Sequence, residues 1–137
     1  MQKVIKSSQL VADTENIISN IRYDKLFILT DANTHQHCLP LLGNLSMISD
    51  AIEIVIPADD INKTIATLSG VWEQLTAGGA TRHSLLINLG GGMVTDLGGF
   101  AAATFKRGIR YINIPTTLLG AVDAAVGGKT GINFGGY

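Results

Sequence analysis

The chain has 137 residues, a formal net charge of −1, 46% apolar and 15% charged residues, and a mean hydropathy of +0.29. That length suffices for one domain with a real core, and the near-neutral charge gives no support for a nucleic-acid or anionic-membrane partner. Cys38 is the sole cysteine, which excludes an internal disulfide; with no long apolar start and no run of transmembrane length, the expectation is a soluble cytoplasmic domain.

Val4-Ile5 and Leu10-Val11, joined by Lys6-Ser7-Ser8-Gln9, fit a short hairpin, and Asp13-Thr14-Glu15-Asn16 can cap a short helix carrying Ile17, Ile18 and Ile21. Lys25-Leu26-Phe27-Ile28-Leu29-Thr30 reads as a buried strand ending at Asp31-Ala32-Asn33. Thr34 to Leu45 reads as helix, on condition that Pro40 lies in its first turns or breaks it. Ile52-Glu53-Ile54-Val55-Ile56 forms a third strand, closed by Pro57. Asp59-Asp60 then cap an amphipathic helix with Ile61, Ile65, Leu68, Trp72 and Leu75 on one stripe and Gly78-Gly79 at its end.

The apolar run Leu85 to Leu89 stops abruptly at Gly90-Gly91-Gly92. Beyond it, Val94, Leu97, Ala101, Thr104 and Phe105 recur at helical spacing. After Gly108, Tyr111-Ile112-Asn113-Ile114 is a fifth strand, and Pro115-Thr116-Thr117 turns the chain into Leu118-Leu119. The last stretch, Gly127 to Tyr137, is glycine-rich and has no helical period. Strands alternating with helices predict an α/β fold, a Rossmann-like parallel sheet of βαβ units with helices on both faces. The high apolar fraction suggests that one face of the domain is covered by something else. Ligands of such sheets sit beyond the carboxyl ends of the strands, which here carry Asp31 and Asn33, Asp60, the glycines, and Thr116-Thr117.

A buried strand that ends in glycines and opens a helix presents backbone N–H groups to a phosphate, with the helix N-terminus adding partial positive charge. The expected ligand is a dinucleotide pyrophosphate, although the spacing is not G-x-G-x-x-G; the alternative is a tight turn that needs glycine for geometry alone. Asp96, in the first turns of that helix, can accept hydrogen bonds from a cofactor amide or ribose, or simply complement the helix dipole. Asp123 and Lys129 stand in an otherwise uncharged, glycine-rich stretch. A P-loop would need glycine at 123, so the reading is a lysine that binds phosphate or carboxylate and an Asp123 that fixes a substrate hydroxyl. Lys106-Arg107 adds positive charge, with Lys106 read as a solvated helix end. His35, His37 and Cys38 do not converge on a metal, because i and i+2 on a helix face different ways. His83 is isolated, and Trp72 is expected in the core.

Leu89 to Phe100, Lys106-Arg107-Gly108, Pro115 to Leu119, Val122-Asp123 and Val126 to Asn133, in that order and spacing, resemble 3-dehydroquinate synthase. Upstream, Pro57-Ala58-Asp59-Asp60 with Lys63 is similar to the family's P-x-G-E-x-x-K stretch, with Asp59 for glycine and Asp60 for glutamate, and Ala124 stands where serine is common. The resemblance implies an NAD-dependent lyase of the shikimate pathway. It would convert 3-deoxy-arabino-heptulosonate 7-phosphate to 3-dehydroquinate and phosphate, with NAD recycled and a divalent metal, zinc or cobalt, polarising the reacting hydroxyls.

By the same resemblance, Asp31, Asn33, Asp60, Lys63, Gly91, Gly92, Met93, Val94, Thr95, Asp96, Thr116, Thr117 and Lys129 would contact NAD. Arg107, Asp123, Lys129 and Asn133 would contact the sugar phosphate, with Asp123 and Lys129 at the reacting centre. Residues 1–137 would then be the NAD-binding N-terminal domain, cut in its substrate-binding loop, without the helical C-terminal domain that carries the metal ligands. Such a piece is expected to be inactive alone, and the family suggests a homodimer. The competing readings are a related sugar-phosphate cyclase such as 2-deoxy-scyllo-inosose synthase, a metal-dependent polyol dehydrogenase, and a stand-alone nucleotide-binding module.

Overall fold

The computed structural model describes residues 2–7, 10–43, 45–57, 65–115 and 130–135. In chain order these form β1 (Gln2–Ser7), α1 (Leu10–Ser19), β2 (Leu26–Asp31), α2 (Ala32–His37), a 3-10 turn (Leu39–Leu42), α3 (Ser46–Ser49) and β3 (Ile52–Ile56). There follow α4 (Ile65–Ala77), β4 (Leu85–Gly90), α5 (Gly92–Thr104), β5 (Arg110–Pro115) and β6 (Thr130–Gly135). One sheet takes all six strands in the order β1-β6-β5-β4-β2-β3. Its centre is the expected parallel sheet, with β5, β4, β2 and β3 side by side.

Period-2 alternation divides the strands between two cores. Phe27, Leu29, Ile54, Ile56 and Leu86 pack under α4 and α5, whereas Ile28, Leu85, Ile87, Leu89, Ile112 and Ile114 face α1, the 3-10 turn and α3. Every residue of β4 is buried, because helices cover both of its faces. Each fully buried Leu, Ile or Phe contributes roughly 1.5–3 kcal/mol, so these two layers carry most of the driving force for folding.

Several expectations are corrected. The N-terminal residues do not form a local hairpin: β1 pairs antiparallel with β6, Gln2 opposite Gly135, and Leu10 already begins α1. The glycine-rich end contributes a strand, β6, antiparallel to both β1 and β5. The helix expected over Thr34–Leu45 stops at His37, and Pro40 falls in the first positions of the 3-10 turn. In α4 the inward stripe is Leu68, Val71 and Leu75; Ile65 is 80% exposed, and Asp59, Asp60 and Ile61 lie outside the described residues. Thr104 likewise leaves the inward stripe of α5, where it accepts the Trp72 indole N–H at 3.2 Å. Gly79, at φ 80°, ends α4 as expected: its N–H reaches Thr76 and that of Ala80 reaches Leu75.

Candidate dinucleotide site at the strand ends

At the carboxyl edge of the parallel strands, β2 ends at Asp31, and β4 and β5 end level with each other, Gly90 opposite Pro115. The three glycines there are not equivalent. A Cβ on Gly90 would stand 2.5 Å from the Val94 side chain, so this glycine lets α5 fold back onto its own strand. A Cβ on Gly91 or Gly92 would meet nothing within 4 Å among the described residues. Gly91 has φ −77°, a value open to any residue, and caps α5 without a side-chain bond. The fold therefore explains Gly90 and leaves Gly91 and Gly92 unexplained. Bare backbone facing open space at a helix N-terminus is what an approaching phosphate requires.

The neighbouring candidates have distinct surroundings. Met93 is half-buried against the core and Val94 fully buried, so Val94 could serve a ligand only through its backbone N–H. Thr95 turns its hydroxyl back onto the Gly91 and Gly92 carbonyls, each at 3.3 Å. Asp96 is exposed on the first turns of α5.

Asp31 is first of all a helix cap. Its Oδ1 accepts the Thr34 N–H at 2.8 Å, and Thr34 Oγ1 accepts the Asp31 N–H at 2.9 Å, a reciprocal capping box. Asn33 is exposed on the first turn of α2. His35 contacts Glu53 Oε2 at 2.6 Å, and the same oxygen accepts the Thr30 hydroxyl at 2.9 Å. This bond ties α2, with Asn33 in its first turn and Asp31 as its cap, to the edge strand. Among the described residues no group of three or more His, Cys, Asp or Glu could hold a metal.

Asp60, Lys63, Thr116, Thr117, Asp123 and Lys129 lie outside the described residues, and Asn133 is described only as a backbone position in β6. Arg107 is not brought to the glycines. It follows the far end of α5, whose 13 residues span roughly 20 Å. There Lys106, Arg107 and Gly108 take φ of 46°, 76° and 102°, a run of left-handed backbone costly for the first two. They border a recess of about 400 Å³ with Arg82, His83 and Arg110, at the end of the sheet opposite the glycines.

Sequence reading also missed Asn88 and Gly98. Asn88 is fully buried in β4 and donates from Nδ2 to Asn113 Oδ1 at 2.9 Å, while its own Oδ1 occupies the space a Cβ on Gly98 would need. The signal available was a lone amide in an otherwise apolar buried strand.

The α/β fold of this chain is shared with sugar-phosphate cyclases of solved structure. The chain superimposes on the 2-epi-5-epi-valiolone synthase of Streptomyces hygroscopicus subsp. jinggangensis 5008, solved with NAD+ and Zn2+ bound, with TM-score 0.66 and 30% identity over 85% of this chain and 32% of that one. It also matches a 2-deoxy-scyllo-inosose synthase complexed with carbaglucose-6-phosphate, NAD+ and Co2+, with TM-score 0.65 and 26% identity over 80% of this chain and 32% of that one.

The model of the 3-dehydroquinate synthase N-terminal family matches residues 53–136, and the chain belongs to that family. It is 55% identical over 135 residues to the 3-dehydroquinate synthase of Parabacteroides distasonis, and 42% identical over 136 residues to that of Pyrococcus abyssi. These alignments cover 98% and 99% of this chain but only 38% and 40% of the relatives.

Proposed function

We propose that this chain is the dinucleotide-holding part of a 3-dehydroquinate synthase, which turns 3-deoxy-arabino-heptulosonate 7-phosphate into 3-dehydroquinate and phosphate. The observation that carries the reading is that, among the described residues, nothing stands over Gly91 and Gly92 to demand glycine there. The backbone N–H groups at the start of α5 would hold the pyrophosphate of NAD, with Asp31, Asn33 and Asp96 placed at the same edge of the sheet for its remaining polar groups. The chemistry a bound NAD supplies is reversible oxidation of a substrate alcohol, which acidifies the neighbouring C–H for loss of phosphate.

The residues of this chain would bind and orient; the described residues offer no ligand set for the divalent metal. Arg107 lies at the far end of α5, roughly 20 Å from the glycine cradle, so in the homodimer the family suggests it would meet a sugar phosphate beside the cradle of a second copy.

Calorimetry of the chain with NAD, NADP and the heptulosonate phosphate tests the reading. NAD should bind, and Gly91→Ala and Gly92→Ala should each weaken it about tenfold or more, with stability changed by no more than about 1 kcal/mol. Alone, the 137-residue chain should release no phosphate from the heptulosonate. Undiminished NAD affinity in both folded glycine variants would sink the proposal.

A further inference from the structure

Asn88 and Asn113 stand opposite each other on β4 and β5, and their side chains share a 2.9 Å hydrogen bond under α5. Both are buried, Asn88 completely. Among the described residues Asn88 Oδ1 has no hydrogen-bond partner, being seated against Gly98 where a Cβ would come within 1.9 Å of it. A buried amide with one unsatisfied oxygen is a poor source of stability; an apolar pair of the same shape would serve the core as well or better.

What the amide pair adds is register. An apolar strand can slip by two residues, about 6.6 Å, and still present the same face to the core, because side chains alternate with period two. The amide pair forbids that slip, since either strand moving would orphan both side chains. Two residues beyond the pair, the same strands end at Gly90 and Pro115, which are themselves in register. The glycine cradle follows directly on one strand and Thr116-Thr117 on the other.

We infer that the Asn88–Asn113 pair is a positioning element for the dinucleotide site, holding the end of β4, and with it the glycine cradle, level with the end of β5. The inference rests on the NAD reading above. It also accounts for Gly98, whose missing side chain makes room for the amide.

The test combines NAD calorimetry and thermal unfolding of the 137-residue chain. In the double variant Asn88→Leu, Asn113→Leu, the unfolding midpoint should equal or exceed the parent's, while NAD affinity falls about tenfold or more. A merely structural pair would move both together or neither. Asn113→Asp keeps an acceptor for Asn88 Nδ2 and should hold NAD within about threefold of the parent. Parent-like NAD binding by the folded double variant overturns the inference, as does an Asn113→Asp variant that folds yet loses NAD tenfold. Should the double variant not fold, the Asn113→Asp result decides. A parent chain that takes up no NAD at all defeats the NAD reading itself, and the positioning role with it.

Discussion

At Gly98 an added Cβ would stand 1.9 Å from Asn88 Oδ1, and at Gly90 2.5 Å from Val94, whereas at Gly91 and Gly92 it would touch none of the described residues within 4 Å. The same residue type thus serves close helix–strand packing at two positions and exposes backbone at two others. The sequence pattern marks all four alike, because spacing along the chain does not show what stands across from a missing side chain. Asp31 has a comparable double reading. Asp31→Ala should cost about 1 kcal/mol in urea unfolding through loss of the α2 cap, while Asp31→Ser should recover most of that stability. If the carboxylate also binds the cofactor, both variants lose NAD affinity in calorimetry; unchanged affinity in the serine variant would leave Asp31 as a cap alone.

Elements were legible in proportion to how locally their stabilisation is determined. β2, β4 and β5 are apolar runs with turn residues after them, and α4 and α5 have helical apolar spacing; all five appear where the pattern puts them, within a few residues. Inside α4, a Cβ on Gly70 would meet nothing within 4 Å among the described residues. Gly70→Ala should stabilise the chain by about 0.5–1 kcal/mol, read as a higher thermal midpoint.

At the amino ends of the strands, Asp24 joins the start of β2 to the segment before β4. The Thr81 hydroxyl donates to its Oδ2 and the Ser84 hydroxyl to its Oδ1 at 2.7 Å. These bonds, that of Thr81 foremost, hold the Asp24 carboxyl below the ordinary aspartate range against the opposing effect of desolvation. A carboxyl whose pKa is lowered in the folded state contributes stability above its unfolded value, about 3.9, and loses it as pH falls through the folded value. Asp24→Asn should therefore be less stable than the parent at pH 7, with the gap narrowing below about pH 4 in urea titrations.

For the whole molecule, the expectation of helices on both faces of a parallel sheet holds, and no described helix is long and apolar enough to cross a membrane. Among the described residues Arg82, Lys106, Arg107 and Arg110 line one recess opposite the glycine edge. Since Arg107 belongs to that opposite end, Arg107→Ala should leave NAD affinity of the chain within about twofold of the parent. A clear loss of NAD binding in calorimetry would show that the two ends communicate.

What the amino-acid sequence determined by itself is the alternation of buried strands and helices, the glycine run at a strand end, and a family resemblance carried by the order of motifs around it. These are local properties: burial on two faces dictates an apolar strand, and a helix start without side chains dictates glycine. Only the tertiary structure decided that β1 and β6 pair at the sheet edge, that Arg107 lies away from the glycine cradle, and which glycines are packed and which are open. Each of those depends on residues far apart in the chain, such as Gln2 opposite Gly135, coming together. Contacts of that kind leave no period in the sequence, because their register is fixed by the packed sheet rather than by neighbours along the backbone.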